Sequence, residues 1–170
     1  MRVLIFAVTL IAGFIASNAY AQSPPSPLIS QFMSHKDIMA LIDKAKADRK
    51  PNAAVTAEQV VRLAPYHAQV EYRPGNAPAA VHEKDAEFML VLQGTGSIVT
   101  EGKLVNEKRV NAYNLTGSSI SGGNAHSVVV GDVIFIPPNT PHQVIAGGGA
   151  PIVLMTMHVP YPPEGWQLAH

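Results

Sequence analysis

The chain has 170 residues, with 12 basic residues, 12 acidic residues and no cysteine. This balance of charge gives no electrostatic basis for binding nucleic acid or an anionic membrane. Because there is no thiolate ligand and no disulfide bond, nitrogen and oxygen atoms must hold any bound metal.

The N-terminal residues have the pattern of a secretory signal peptide. One arginine, Arg2, precedes an apolar run over residues 3–16, and small residues follow at Ala19 and Ala21. The run is shorter than the roughly 20 residues that a membrane-spanning helix needs, and the small residues are typical of a cleavage site. The sequence therefore predicts a signal peptide over residues 1–21, cleavage after Ala21, a periplasmic or secreted protein, and no membrane association after cleavage.

The segments that follow are predicted to be an extended leader and then a helical region. Residues 22–33 begin with QSPPSP, a composition typical of an extended chain. Ser34 and Asp37 resemble a capping box, and apolar residues recur after them at helical spacing. We therefore expect an N-terminal helical segment over 34–64, with one amphipathic helix over 35–49 and a weaker helical turn over 57–63.

Residues 65–163 have the composition of an all-β domain. Short runs rich in Val, Ile, Phe and Tyr alternate with glycine and proline clusters, which is typical of a sandwich or barrel. The predicted strands are HAQVEYR, EFMLVLQG, GSIVTEG, HSVVV, DVIFIP, HQVIA and PIVLMTMHV. The polar, glycine-rich stretch over 102–123 is predicted to be a long excursion at one end of the barrel, and residues 164–170 to be a C-terminal tail.

Two segments carry motifs, and the first is GNAPAAVHEKDAEFMLVLQGTG. Four residues separate His82 from Glu87, and six residues separate Glu87 from Gly94. This spacing is similar to the first motif of the cupin superfamily, in which a His-x-His pair precedes a glutamate and a glycine. His82 matches the second histidine of that pair, whereas Ala80 stands at the position of the first.

The second segment, GDVIFIPPNTPHQV, is similar to the second cupin motif. Gly131, Pro137 and His142 match its spacing, while Asn139 replaces an internal glycine and Ala146 stands where the family often has asparagine. Asparagine accepts the positive φ that such a turn requires, so the exchange at position 139 preserves the turn.

The resemblance implies an all-β cupin-type double-stranded β-helix, a jelly-roll barrel, preceded by an N-terminal α-helix. It also implies one divalent metal ion held by His82, Glu87 and His142, with Fe, Mn, Zn, Ni and Co as the candidates. Strand alternation places Glu87 and Met89 on one face of a strand. Since His82 lies an odd number of residues from Glu87, a bulge or loop must turn His82 inward.

The remaining histidines are assigned from their surroundings. His158, in the last predicted strand, is a candidate for a fourth ligand in place of the missing histidine, or for a catalytic acid or base; a hydrogen-bonded core histidine is the alternative. His126 is expected to be exposed, and solvation explains His35, His67 and His170.

Three functional hypotheses follow. The first is an exported metal-dependent enzyme of the oxygenase, lyase or isomerase type, acting on a small metabolite. The second is a non-catalytic cupin that binds a small ligand or a metal, as the alanine at position 80 suggests. The first two hypotheses have a small molecule as partner, and the resemblance implies that a homodimer can form through the outer sheets.

The third hypothesis is an envelope-associated interaction domain, which a large exposed apolar patch would indicate.

Overall fold

The computed structural model describes residues 30–64 and 66–161. The predicted signal peptide over 1–21, most of the predicted leader and the predicted tail over 164–170 lie outside the described residues. Among the helices that are described, none has the length and apolar character needed to cross a bilayer.

Helix α1 runs over His35–Ala47 and begins with the predicted capping box. The backbone N–H of Asp37 donates to Ser34 Oγ at 3.2 Å, and the backbone N–H of Ser34 donates to the Asp37 carboxylate at 2.9 Å. These bonds satisfy amides that have no partner inside the helix. The apolar face of α1 buries Ile42 against a β-sheet. The prediction of this helix is confirmed.

The helical turn predicted over 57–63 is wrong. Strand β1, Thr56–Leu63, occupies this segment and pairs antiparallel with strand β2, Tyr66–Arg73. Exposed and less exposed side chains alternate along most of β1, which is the period of a strand. Because β1 forms backbone hydrogen bonds with the edge of β2, strand pairing overrides the local preference for helix. The segment predicted as helical over 34–64 is therefore helical only in its first half.

Eleven further strands follow β2 in the described part of the chain. They are β3 Ala79–His82, β4 Asp85–Gln93, β5 Gly96–Thr100, β6 Lys103–Val105, β7 Lys108–Arg109, β8 Asn114–Gly117, β9 Ser119–Ser121, β10 Asn124–Val128, β11 Val133–Ile136, β12 His142–Ala146 and β13 Ile152–Pro160. All seven predicted strands are present. The excursion over 102–123 contributes to the barrel wall, since β8 pairs with β3, and β6 and β9 form a small ribbon.

The strands form two facing sheets. The first has the order β1-β2-β13-β4-β11 and the second the order β10-β5-β12-β3-β8-β7. Both sheets contribute to one buried apolar cluster, which includes Met89, Val91, Ile98, Val144 and Leu154. Because these residues come from opposite sheets, the cluster fills the space between them, as in a sandwich or jelly roll. The predicted all-β barrel with an N-terminal helix is confirmed.

Strand β2 has an apolar outer face and a polar inner face. Val70 packs on the outside in one cluster with Ile42 of α1. Gln69, Glu71 and Arg73 alternate with the apolar residues and line a cavity between the sheets. Helix α1 thus supplies the apolar contact of β2 on the outside, which leaves the inner face of this strand free to be polar.

Candidate metal centre

The carboxylate of Glu87, on β4, lies at the centre of the site. Glu87 is only 2% exposed, and Met89 and Val91 on the same face of β4 belong to the apolar cluster. A buried carboxylate is costly unless donors or positive charge surround it. The groups that face this carboxylate therefore determine what the site can bind.

His142, the first residue of β12, approaches the carboxylate from the second sheet. Its Nε2 atom lies 3.0 Å from Glu87 Oε2. Its Nδ1 atom lies 3.0 Å from the backbone oxygen of Thr140, a contact that fixes the orientation of the ring. The structure thus brings together two of the residues that the sequence predicts as ligands.

His82 reaches the same carboxylate from the end of β3. Its Nε2 lies 3.4 Å from Glu87 Oε2, and its Nδ1 lies 2.7 Å from Oδ1 of Asn114 on β8. A bend at residues 83–84 supplies the change of direction that the odd spacing requires. The backbone N–H of Asn139 donates to the His82 carbonyl at 2.7 Å, and Asn139 adopts φ 60°. The asparagine therefore holds the turn as expected.

His158 joins the group from β13, where it lies directly opposite Glu87 in the ladder between β13 and β4. Its Nε2 atom is 3.7 Å from Glu87 Oε1. Ligand atoms of His82, Glu87 and His158 all lie within 4.8 Å of one another. The three predicted ligands and the predicted fourth candidate thus all contact or face the Glu87 carboxylate, but His142 does not belong to the group whose ligand atoms lie within 4.8 Å of one another.

Hydrogen bonds on the far side of two rings determine which nitrogen carries a lone pair. A backbone carbonyl only accepts, so the contact with Thr140 requires the proton of a neutral His142 on Nδ1. The amide oxygen of Asn114 imposes the same arrangement on His82. Each Nε2 atom then points a lone pair at the carboxylate, and Glu87 Oε2 has no hydrogen-bond partner among the described residues. This arrangement is repulsive unless a proton or a metal cation lies between the groups.

The pKa shifts indicate where protons and a metal compete. Burial opposes the charge of Glu87, but the contacts with His142 and His82 lower the pKa of Glu87 well below its usual value. Burial also opposes the charged form of His82, yet its contacts with Glu87 and Asn114 raise the pKa of His82. Burial lowers the pKa of His158. Glu87 therefore stays ionised, and His82 is the ligand at which a proton competes with a cation.

We expect the affinity of the site for Zn²⁺ to fall as the pH is lowered. A histidine must lose its proton before it binds a metal, and the raised pKa of His82 places this competition at a higher pH than for an ordinary histidine. Below that pKa, each displaced proton weakens the apparent affinity about tenfold per pH unit. Isothermal titration with Zn²⁺ over a series of pH values measures this slope, and a flat profile would count against the site.

The four residues border a cavity of about 290 Å³ between the sheets. Ala80 lies on the cavity wall, two residues before His82 on β3 and opposite His142 in the ladder between β3 and β12. Position 80 is thus beside the site, and its small side chain leaves space there.

Sequence reasoning missed three residues around the site. Asn114 lies in the polar excursion, for which no strand was predicted, yet it orients His82. His67, expected to be solvated, stacks on His158 with ring centroids 4.5 Å apart. Arg73 lines the cavity. The alternation in HAQVEYR does place His67 and Arg73 on one face, but polar residues on a strand usually face solvent, and nothing in the sequence marks this face as interior.

Comparison with known proteins supports the fold. No family model and no curated protein matches the chain. A protein with a double-stranded β-helix domain from Klebsiella pneumoniae matches with a TM-score of 0.51 at 16% identity, covering 78% of this chain and 91% of that one. The cupin domain of Cnp3 from Schizosaccharomyces pombe matches with a TM-score of 0.48 at 11% identity, covering 68% and 72% of the two chains. A cupin-2 domain from Rhodospirillum rubrum matches with a TM-score of 0.47 at 16% identity, covering 72% of each. With both sheets arranged as described, the chain has a double-stranded β-helix fold.

Proposed function

We propose that His82, Glu87, His142 and His158 hold one divalent metal ion. The observation that carries this proposal is the buried Glu87 carboxylate, whose Oε2 atom faces two imidazole nitrogens without a hydrogen bond from any described residue. A cation placed between these groups would accept one lone pair from each imidazole and one from the carboxylate. It would also remove the repulsion between them.

The distances from the Glu87 carboxylate to the neighbouring imidazoles are compatible with a shared cation. Metal–ligand bonds of about 2.1 Å, at angles between octahedral and tetrahedral, place neighbouring ligand atoms about 3.0 to 3.4 Å apart. The Nε2 atoms of His142 and His82 lie 3.0 and 3.4 Å from Glu87 Oε2. The Nε2 atom of His158 lies 3.7 Å from Oε1. Since the compact group consists of His82, Glu87 and His158, all four residues bind one ion only if His142 and the other rings move closer together.

The donor set limits the choice of metal. Three imidazoles and one carboxylate suit Fe²⁺, Mn²⁺, Co²⁺, Ni²⁺ and Zn²⁺, and they suit Ca²⁺ poorly because that ion prefers oxygen ligands. A metal that takes five or six ligands would have one or two coordination positions left beside the four protein donors, and water or a substrate atom can occupy them.

On this basis we propose an exported metal-dependent enzyme of the oxygenase, lyase or isomerase type that acts on a small metabolite. A bound metal would supply a Lewis acid, or an oxygen-binding centre if it is iron. The chain's own contribution is to orient the rings: the Thr140 carbonyl holds His142 and the Asn114 amide holds His82. The export part of this proposal depends on the N-terminal residues 1–21 alone.

One observation favours a second candidate, a non-catalytic cupin that binds a small ligand or the metal itself. Among the described residues that line the cavity, every titratable side chain belongs either to the four-residue site or to the pair Glu71 and Arg73. An ion-paired glutamate is a poor proton carrier, so no obvious acid or base remains. Turnover of a small metabolite by the metal-loaded protein separates the two candidates.

Replacement of His142 by alanine tests the metal centre. We expect protein purified without an affinity tag to contain about one metal ion per chain, and His142→Ala to contain much less, since the loss of a ligand weakens metal binding. Elemental analysis measures the content, and His126→Ala, exposed on β10, is the matched control. Stoichiometric metal in His142→Ala would refute the assignment.

A further inference from the structure

We infer that Arg73 binds the carboxylate of a small monoanionic ligand, so that the cavity selects a small carboxylic acid. The charge balance of the cavity rests on the proposed metal centre, whereas the contacts that hold Arg73 involve residues of β2 and β13 alone.

Arg73 is held in place by a buried carboxylate. Its Nε donates to Oε2 of Glu71 at 2.9 Å, and its Nη2 donates to the same oxygen. Glu71 is 5% exposed and also accepts hydrogen bonds from Gln69 Nε2 at 2.7 Å and Thr156 Oγ1 at 3.4 Å. These bonds fix Glu71, and Glu71 in turn fixes one edge of the guanidinium.

The other edge of the guanidinium is available to a ligand. No described residue accepts a hydrogen bond from Nη1 of Arg73, and Arg73 lines the same cavity as His82, Glu87, His142 and His158. A guanidinium donates two parallel N–H groups from one edge, which matches the two oxygens of a carboxylate. An arginine whose orientation is already fixed loses little conformational entropy when it binds.

The charge of the cavity also favours a monoanion. Its described charged residues are the carboxylates of Glu71 and Glu87 and the guanidinium of Arg73, a net charge of −1 with the histidines neutral. A divalent cation at the proposed centre changes this net charge to +1. One carboxylate would neutralise the cavity, whereas a phosphate dianion would leave an uncompensated negative charge in a buried space.

The size of the cavity restricts the acid. Its volume of about 290 Å³ is at the lower end of the roughly 300–1,000 Å³ that is typical of ligand pockets. The acid therefore carries few atoms besides the carboxylate that Arg73 binds.

Paired titrations test this assignment. Acetate, lactate and benzoate are each titrated calorimetrically beside the matching uncharged amides acetamide, lactamide and benzamide. We expect at least one acid to bind more than tenfold more tightly than its amide. We expect Arg73→Gln to lose this preference while keeping its metal, and Arg73→Lys to keep part of it because lysine retains the charge without the paired donors. Arg62→Gln, exposed on β1, should behave as the unchanged chain does.

A double variant and titrations on metal-free protein complete the experiment. The double variant Glu71→Gln/Arg73→Gln removes both charges together and should also lose the preference, so a folding defect in Arg73→Gln does not leave the question open. The same titrations on metal-free protein separate the two proposals, since an acid preference that depends on Arg73 can persist if the metal centre is refuted. Equal binding of acids and amides, no binding of any acid, or an unchanged preference in both variants would overturn the inference.

Discussion

Replacement of His158 by alanine is expected to weaken metal binding by more than tenfold. His158 lies opposite Glu87 in the ladder, and one of its ring nitrogens lies within 4.8 Å of the ligand atoms of His82 and Glu87. The loss of a group that merely orients a ligand already costs roughly 10- to 100-fold in metal affinity, and His158 is proposed as a ligand itself. Competitive titration with a fluorescent zinc chelator measures the change.

A histidine introduced at position 80 should restore part of the metal affinity that is lost in His158→Ala. Ala80 faces the cavity beside His82 and lies opposite His142, so Ala80→His in the His158→Ala background places an imidazole next to the same carboxylate. Recovery of affinity in the double variant would show that the last strand provides the donor that β3 lacks. His158→Ala with unchanged metal affinity would instead identify His158 as a packing residue.

Glu87→Gln is expected to abolish metal binding and, at alkaline pH, to stabilise the metal-free protein. Glutamine has nearly the same shape, and its amide N–H groups can donate to the lone pairs of His82 and His142 that the carboxylate repels. An unsatisfied buried polar group costs about 1–3 kcal/mol, so the free energy of unfolding should rise by a similar amount. Urea denaturation in the presence of a chelator measures this difference.

The sign of this effect should reverse at acid pH. The pKa of His82 is raised in the folded protein, so protonation of His82 stabilises the fold fully below its unfolded pKa, and this contribution disappears as the pH rises through the folded pKa. Glu87→Gln removes the ion pair and should destabilise the protein where His82 is charged. Glu83→Gln, at a surface pair with Arg109, is the control and should have a small effect. A loss of stability at alkaline pH as well would show that no repulsion exists between Glu87 and the rings.

The positions of Glu87 and His142 could be predicted because strand alternation and motif spacing act locally. Each residue lies on a strand whose neighbours two positions away, Met89 and Val144, belong to the apolar cluster. Side chains two residues apart on a strand point to the same face, so the ligands point inward with these apolar neighbours. The odd spacing of His82 likewise required a bend, and residues 83–84 form it.

The position of His158 beside Glu87 depends on how β13 and β4, which are far apart in the sequence, align in the sheet. Its proximity to Glu87 arises because β13 and β4 are neighbours in the sheet, and a shift of one residue would turn His158 to the opposite face. The sequence identified His158 as a candidate but contained no signal for its partner strand. The same reason applies to Arg73 and Glu71, whose inner face is recognisable only once α1 is seen to cover the outer face of β2.

The errors in the fold prediction arose where pairing partners decide the structure. The residues of β1 form a strand because the edge of β2 is adjacent, and Asn114 belongs to a strand because β3 lies beside β8. Neither segment has a strong local preference for a strand, so composition alone favoured a helical turn in one case and a loop in the other.

Anomalous diffraction at the absorption edge of the bound metal, from crystals of the metal-loaded protein, tests the central claim that four side chains share one cation. We predict one strong peak in the cavity, about 2.0–2.2 Å from the Nε2 atoms of His82, His142 and His158 and from a carboxylate oxygen of Glu87. A peak at another place on the protein, or a cavity without a peak in protein saturated with metal, would contradict the account.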